Sequence, residues 1–394
     1  MNSSNVAYIT PALVKWARER AGLSHEEVAA RLRVVKPNQV HDWENGKSLP
    51  TLPQAENLAT RLRIPLAVLF LSNPPPTEIP LPDLRTVSRD IRNKPSAEFL
   101  DVVNDAVLKQ RWFREYQEQR GSNNLAFVAS LDLGSGYQRV ASAIREALGI
   151  DNEFRNRTSN WEDFLRKFIQ NVESLGVLVM RSGIVGNDVR RKLDVKEFRG
   201  FAISDKLAPL VFINSRDAKA AQIFTLAHEL AHIWVGSSGI SNPNPQKRSV
   251  DLKNDTERFC NTVAAELLVP AQELARYWNP NTSNPANVGA IAVRFRISPL
   301  VALRRAYDLG RLDSTEFLSL WEAQLQKFKS REAEQPEERG GNFWNSFNAR
   351  NGSNLTDAVL GEVRARRVLY TNAARLLSVR VRTIEKLVKQ PSSE

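Results

Sequence analysis

His228, Glu229 and His232 are the residues whose types and spacing carry chemistry most directly. On a helix, residues four apart lie on one face a turn apart, so the two imidazoles can address a single metal ion. Glu229, next to the first of them, is placed to take a proton from a water activated by that metal and to hand it to a leaving amine. Zinc (Zn2+) is the ion expected, because it lowers the pKa of such a water to about 7 and so provides a nucleophile at neutral pH. The chain has four histidines, and two of them fall in this one pentad, which argues against a chance pair on a surface helix. Apolar neighbours, Phe224, Leu226, Leu230 and Trp234 among them, suit a buried helix that carries a site to the floor of a cleft. A further histidine six residues after His232 would mark a metzincin-type site, but that position is Ser238.

A third ligand is expected from the next helix, which the pattern places from about residue 254 to 268, closed by Pro270. Four carboxylates are available: Asp251, Asp255, Glu257 and Glu266. Asp251 and Asp255 lie near or before the helix start, where a side chain can instead cap the helix or meet its positive dipole end. Glu266 follows Glu257 by nine residues, two and a half turns, so the two cannot serve one metal. Glu257 has Asn261 one turn further on, and a carboxylate with such a neighbour suits a ligand and the group that orients a ligand histidine.

The elements that must position these residues alternate in type. A helix from Trp161 to Ser174 precedes three strand candidates, 176–180, 198–204 and 209–213, rich in β-branched and aromatic residues. Asn214 and Ser215 then offer N-caps for a helix running to about Val235 and ended by Gly236. A polar loop over 237–250 leads to the second helix, and two short helices flank Ile297-Ser298-Pro299.

Arg199-Gly200-Phe201-Ala202, Phe212-Ile213-Asn214, the stretch from Phe224 to His232 and the stretch from Asn261 to Pro270 together resemble the ImmA/IrrE metallopeptidase family. The resemblance covers roughly residues 160 to 310. It implies a zincin-like α+β fold with two histidines and one glutamate as ligands, and it assigns the glutamate position to Glu257. Family members cleave transcriptional repressors in stress responses or mobile elements, so the resemblance also implies a protein substrate, repressor-like or toxin-like.

Residues 11 to 71 read as a small all-helical domain. Ser24 suits an N-cap with Glu27 completing a capping box, and residues 37–45 suit the second helix of a helix-turn-helix. Trp43-Glu44-Asn45-Gly46-Lys47 with Pro50-Thr51 resembles the Xre-type repressor domain. Lys36, Asn38, Gln39 and His41 are the candidate DNA-facing side chains, since the start of a recognition helix meets base edges. Asp42 and Glu44 put negative charge on the same helix, and His25 and His41 read as surface residues rather than metal ligands.

A formal net charge of +11 favours a polyanionic partner, duplex DNA first. The single Cys260 allows no intrachain disulfide, and no apolar run approaches the roughly 20 residues that span a bilayer, so no membrane partner and a cytoplasmic location are expected. Oligomeric state is open, a homodimer included. Prolines at 74–76, 80 and 82 suggest a stiff linker, and 96–120 a connecting helix. The expected division is 1–75 helix-turn-helix, 76–125 linker and connecting helix, 126–312 peptidase, and 313–394 a basic helical region. In that last region 330–342 reads as a polar connection, and Ala373 to Arg380 reads as a further helix-turn-helix fragment. The expected fold is mostly α, with an α+β zincin-like domain behind an all-α domain. The expected function is a zinc endopeptidase that cleaves a regulatory protein and is coupled to transcription. Its rival is a non-enzymatic DNA-binding regulator, or an antitoxin-like component, that uses the zinc domain as sensor or docking surface.

Overall fold

The computed structural model describes residues 5–33, 35–75, 80–83, 95–241, 255–334 and 343–389, the side chains of 328–334 excepted. The expected linker residues 76–79, most of the loop 237–250 and the stretch 335–342 lie outside the described residues. The described residues fall into two compact units: one up to Pro75 together with 95–101, the other 80–83 together with everything from Val102 on. No single helix among them is long and apolar enough to cross a membrane.

The first unit holds α1 (Pro11–Arg20), α2 (His25–Leu32), α3 (Pro37–Glu44), α4 (Leu52–Leu62) and a 3-10 turn at Leu66–Phe70. Each helix start has a local cause. Ser24 accepts from the Glu27 amide while Glu27 returns a bond to the Ser24 amide, the expected capping box, and Thr51 and Gln54 repeat the device for α4. Leu13, Val14, Val28, Val40, Trp43 and Leu58 close the core of this unit. Helix α5 (Ala97–Gln119), expected as the connecting helix, begins in the first unit and continues into the second.

The second unit continues with α6 (Tyr137–Leu148), α7 (Asn152–Asn156) and α8 (Trp161–Ser174). Then come β1 (Leu178–Ser182), β2 (Ile184–Val185), β3 (Asp188–Lys192), β4 (Gly200–Ile203), β5 (Leu210–Asn214), α9 (Lys219–Trp234) and β6 (Gly239–Ser241). Helices α10 (Asp255–Leu268), α11 (Ala271–Tyr277), α12 (Asn284–Phe295), α13 (Pro299–Asp308), α14 (Ser314–Glu334), α15 (Phe343–Asn351), α16 (Ser353–Arg364), α17 (Tyr370–Leu376) and α18 (Val381–Lys389) complete it. The main sheet runs β1-β5-β4-β6, with β1 parallel to β5 and the other pairs antiparallel, while β2 and β3 form a separate hairpin. Beyond β6, the Ile240 amide donates to the Pro82 carbonyl at 2.9 Å and Asp83 bridges to Ile240, so residues 80–83 lie along the sheet's edge.

Helix α9 is the centre of the core. From Gln222 to Trp234 every residue is buried, between the sheet and helices α6, α8 and α10. This burial explains an apolar character around the whole circumference rather than on one stripe. The expected N-caps do not cap it. The helix starts at Lys219 after Ala218, while Asn214 is buried at the end of β5, donating to the Phe198 carbonyl and accepting from the Arg216 amide. Its far end is as expected, with Gly236 in the left-handed region at φ 73°. Two sequence expectations were too plain: 237–250 contains β6, and the polar stretch from 330 is helical to Glu334.

Candidate metal centre and helix-turn-helix domain

Helix α9 presents His228 and His232 one turn apart, and α10 lies across it with Glu257 in its first turn. The three side chains converge. The two Nε2 atoms stand 3.0 Å apart, and the Glu257 carboxylate oxygens lie 3.0 Å from His232 Nε2 and 3.5 Å from His228 Nε2. All three residues are buried, and among the described residues they form the one group of this kind able to hold a metal. A tetrahedral zinc with ligands at 2.0–2.1 Å would set neighbouring donor atoms about 3.3 Å apart, so this donor set fits the ion in both type and spacing.

Without a cation the three groups share protons. Burial raises the Glu257 carboxyl, but His228 and His232 more than offset it and hold the group down at about 2. Burial lowers both imidazoles; Glu257 overcomes this for His228, which is raised, but not for His232, which is lowered. Asn261, one turn after Glu257, reaches His228, where hydrogen bonding between the side chains also raises the imidazole. His228 Nδ1 and Asn261 Oδ1 are both buried and have no other partner among the described residues, which leaves a ring N–H and an amide oxygen to each other.

Glu229 turns toward the sheet. Ser241 Oγ, on β6, donates to its Oε1, while Oε2 is buried and without a hydrogen bond. Burial pushes the carboxyl up to about 8. Gly200 on β4 makes the space: a Cβ there would stand 2.8 Å from Glu229 Oε1, 2.6 Å from Thr225 Cγ2 and 2.9 Å from the Phe212 carbonyl. Neither Gly200 nor Ser241 was singled out from the sequence as a site residue. Gly200 had a signal, since a glycine inside a strand pattern marks close approach of another element. Ser241 had none.

The remaining carboxylates go elsewhere. Glu266 pairs with Arg305 and accepts from the Ala271 amide, and Asp255 pairs with Arg258 at the exposed start of α10. Asp251 lies outside the described residues. Cys260 is buried, with its thiol pushed up by that burial.

In the first unit, α2 and α3 are joined through Arg33, in the left-handed region at φ 63°. Lys36 precedes α3, Asn38 and Gln39 fall in its first turn, and His41 follows; Lys36, Asn38 and His41 are exposed and Gln39 half-buried. Glu44 does not add charge to that face. It turns inward, accepting from Arg18 Nε at 2.6 Å and meeting His25 Nε2 at 3.1 Å. His41 is exposed, and His25 is half-buried beside Glu44.

Comparison with known families agrees with this division. Residues 172–307 match the IrrE N-terminal-like domain of a peptidase family, and residues 14–69 match a helix-turn-helix family. No curated protein matches the chain. Over these two stretches the chain is similar to IrrE-type metallopeptidases and to Xre-type helix-turn-helix proteins, as its motifs implied: it is a metallopeptidase-like chain with a helix-turn-helix domain.

Proposed function

We propose that the second unit is a zinc-dependent endopeptidase that cleaves a regulatory protein, repressor-like or toxin-like, and that the first unit ties it to transcription by contacting duplex DNA. The convergence of His228, His232 and Glu257 carries the reading, with Glu229 buried on the turn between the histidines. His228 and His232 would hold the ion through Nε2 and Glu257 through its carboxylate, with Asn261 fixing the ring of His228. Bound zinc would supply a Lewis acid that polarises the scissile carbonyl and acidifies a water. Glu229 does the proton work. Its Oε2, which no hydrogen bond engages, accepts the proton of the attacking water and returns it to the amine nitrogen as the C–N bond breaks. Ser241 holds the other oxygen and thereby fixes the direction of the carboxylate.

DNA contact is assigned to Lys36, Asn38, Gln39 and His41, supported by their place at the start of α3 and by the inward turn of Glu44. The test of the peptidase reading is Glu229→Gln, which keeps every proposed ligand and removes the proton acceptor. Zinc measured by elemental analysis should stay stoichiometric while cleavage of a regulatory protein encoded beside this chain is lost. Undiminished cleavage by that variant, or a wild-type protein that purifies without zinc and cannot be loaded, would overturn it.

A further inference from the structure

The last three helices repeat the geometry of the first unit. In the first unit, α2 ends on a left-handed residue, Arg33 at φ 63°, with the buried Ala29 four residues before it. In the second, α17 runs into a left-handed residue, Ser378 at φ 55°, with the buried Ala374 four residues before it. The following helix starts four residues after Arg33, at Pro37, and three after Ser378, at Val381. Each then buries one branched aliphatic residue on its inner side, Val40 in α3 and Ile384 in α18. The only offset is one residue in the turn. Helix α16 backs the pair, and Arg364 on it donates to the carbonyls of Leu387 and Val388 at the end of α18.

What α18 shows to solvent differs from a merely solvated helix. Arg380, Val381, Arg382, Glu385, Lys386 and Lys389 are exposed, so four cations share the face with one carboxylate. None of those four cations has an ion-pair partner among the described residues, whereas Arg367, outside this face, is paired with Glu362. No acidic residue stands in the first turn of α18, the end that enters a groove in a helix-turn-helix.

We propose that α17 and α18 form a second helix-turn-helix and that α18 docks on duplex DNA. Arg380 and Arg382 lie at the groove-entering end, and Lys386 and Lys389 lie further along, toward the phosphates. The chain would then carry two DNA-contacting modules, one in each compact unit, and this assignment does not depend on the one made for α3.

Anisotropy titration of the full-length chain into a labelled mixed-sequence duplex of about 30 base pairs, from about 50 to about 200 mM salt, tests it. Replacing Arg382, Lys386 and Lys389 by Gln should weaken binding and lower the slope of log affinity against log salt by about 2.7, at about 0.9 per lost phosphate contact. Glu385→Lys should tighten binding. A variant with Lys36, Asn38, Gln39 and His41 all changed to Ala should keep a salt-dependent affinity that the triple Gln change then removes. Unchanged slope and affinity in the triple variant, with all binding lost in the α3 variant, would overturn the proposal and leave the α3 assignment standing. A wild-type chain that binds no duplex at low salt would overturn both.

Discussion

Ser241 Oγ, from a strand of three residues, donates to the very carboxylate that stands between the two histidines of α9. A hydrogen bond to a charged acceptor is worth about 1.5–3 kcal/mol. Ser241→Ala should therefore lower kcat by roughly 10- to 100-fold while KM and bound zinc stay near wild type. A purely structural serine would leave kcat intact, and steady-state kinetics on a cleaved substrate with parallel metal analysis separates the two.

Glu257 and Glu266 lie on the same helix and should behave oppositely. Glu257→Ala removes a proposed ligand, and a tenfold or larger loss of zinc affinity is expected from ligand-sphere effects. Glu266→Ala should leave zinc nearly untouched but lower thermal stability, because it leaves Arg305, only 4% exposed, without its carboxylate. Bound zinc and melting temperature measured on both variants check the pair, and the reverse ranking would remove Glu257 from the metal centre.

Gly200 tests how closely sheet and helix must approach. An added methyl meets a side-chain carbon, a backbone carbonyl and the Glu229 carboxylate, all at 2.9 Å or less. Overpacking of this kind costs about 1–3 kcal/mol. Gly200→Ala should lower the denaturation midpoint, and the same variant should lose activity in excess of its loss of folded protein, because Glu229 is one of the groups displaced.

The pH dependence of the first unit follows from Glu44. Burial opposes ionisation there, but the hydrogen bonds from Arg18 and His25 outweigh it and hold the carboxyl below its ordinary value of 4.5. A depressed carboxylate contributes stability that is present above its unfolded pKa and is lost as pH falls through the folded one. Glu44→Gln should therefore speed amide exchange in α3 at neutral pH, and the difference from wild type should shrink as pH drops below about 4.5. A constant difference across that range would mean that packing of the side chain, not its charge, is what matters.

The metal ligands were legible because helical spacing fixes which side chains share a face, and α9 and α10 have strong helical patterns bounded by Gly236 and Pro270. The three long strands showed through their β-branched and aromatic runs. What escaped has physical reasons. Strand β6 is three residues long, in a stretch of serines and asparagines, and only its pairing with β4 makes it a strand. The β2–β3 hairpin carries Asp188, Arg190 and Lys192, which read as loop. Asn214 looked like a cap because its type suits one, but a cap requires solvent-side geometry and this side chain is enclosed. Glu44 looked like a repulsive charge because the sequence does not show that Arg18 and His25 fold back onto it.

The segment at residues 80–83 reads as a spacer, yet its backbone completes the sheet along β6. An uncovered strand edge is a template on which other chains can add. Pro80 and Pro82 have no N–H, so a segment rich in them can accept from β6 while offering few donors to a newcomer. It is thus a seal against self-association as well as a tether. A fragment of the second unit that starts at residue 95 should form oligomers or aggregate through the bared edge of β6, whereas one that starts at Pro80 should stay monodisperse in light scattering.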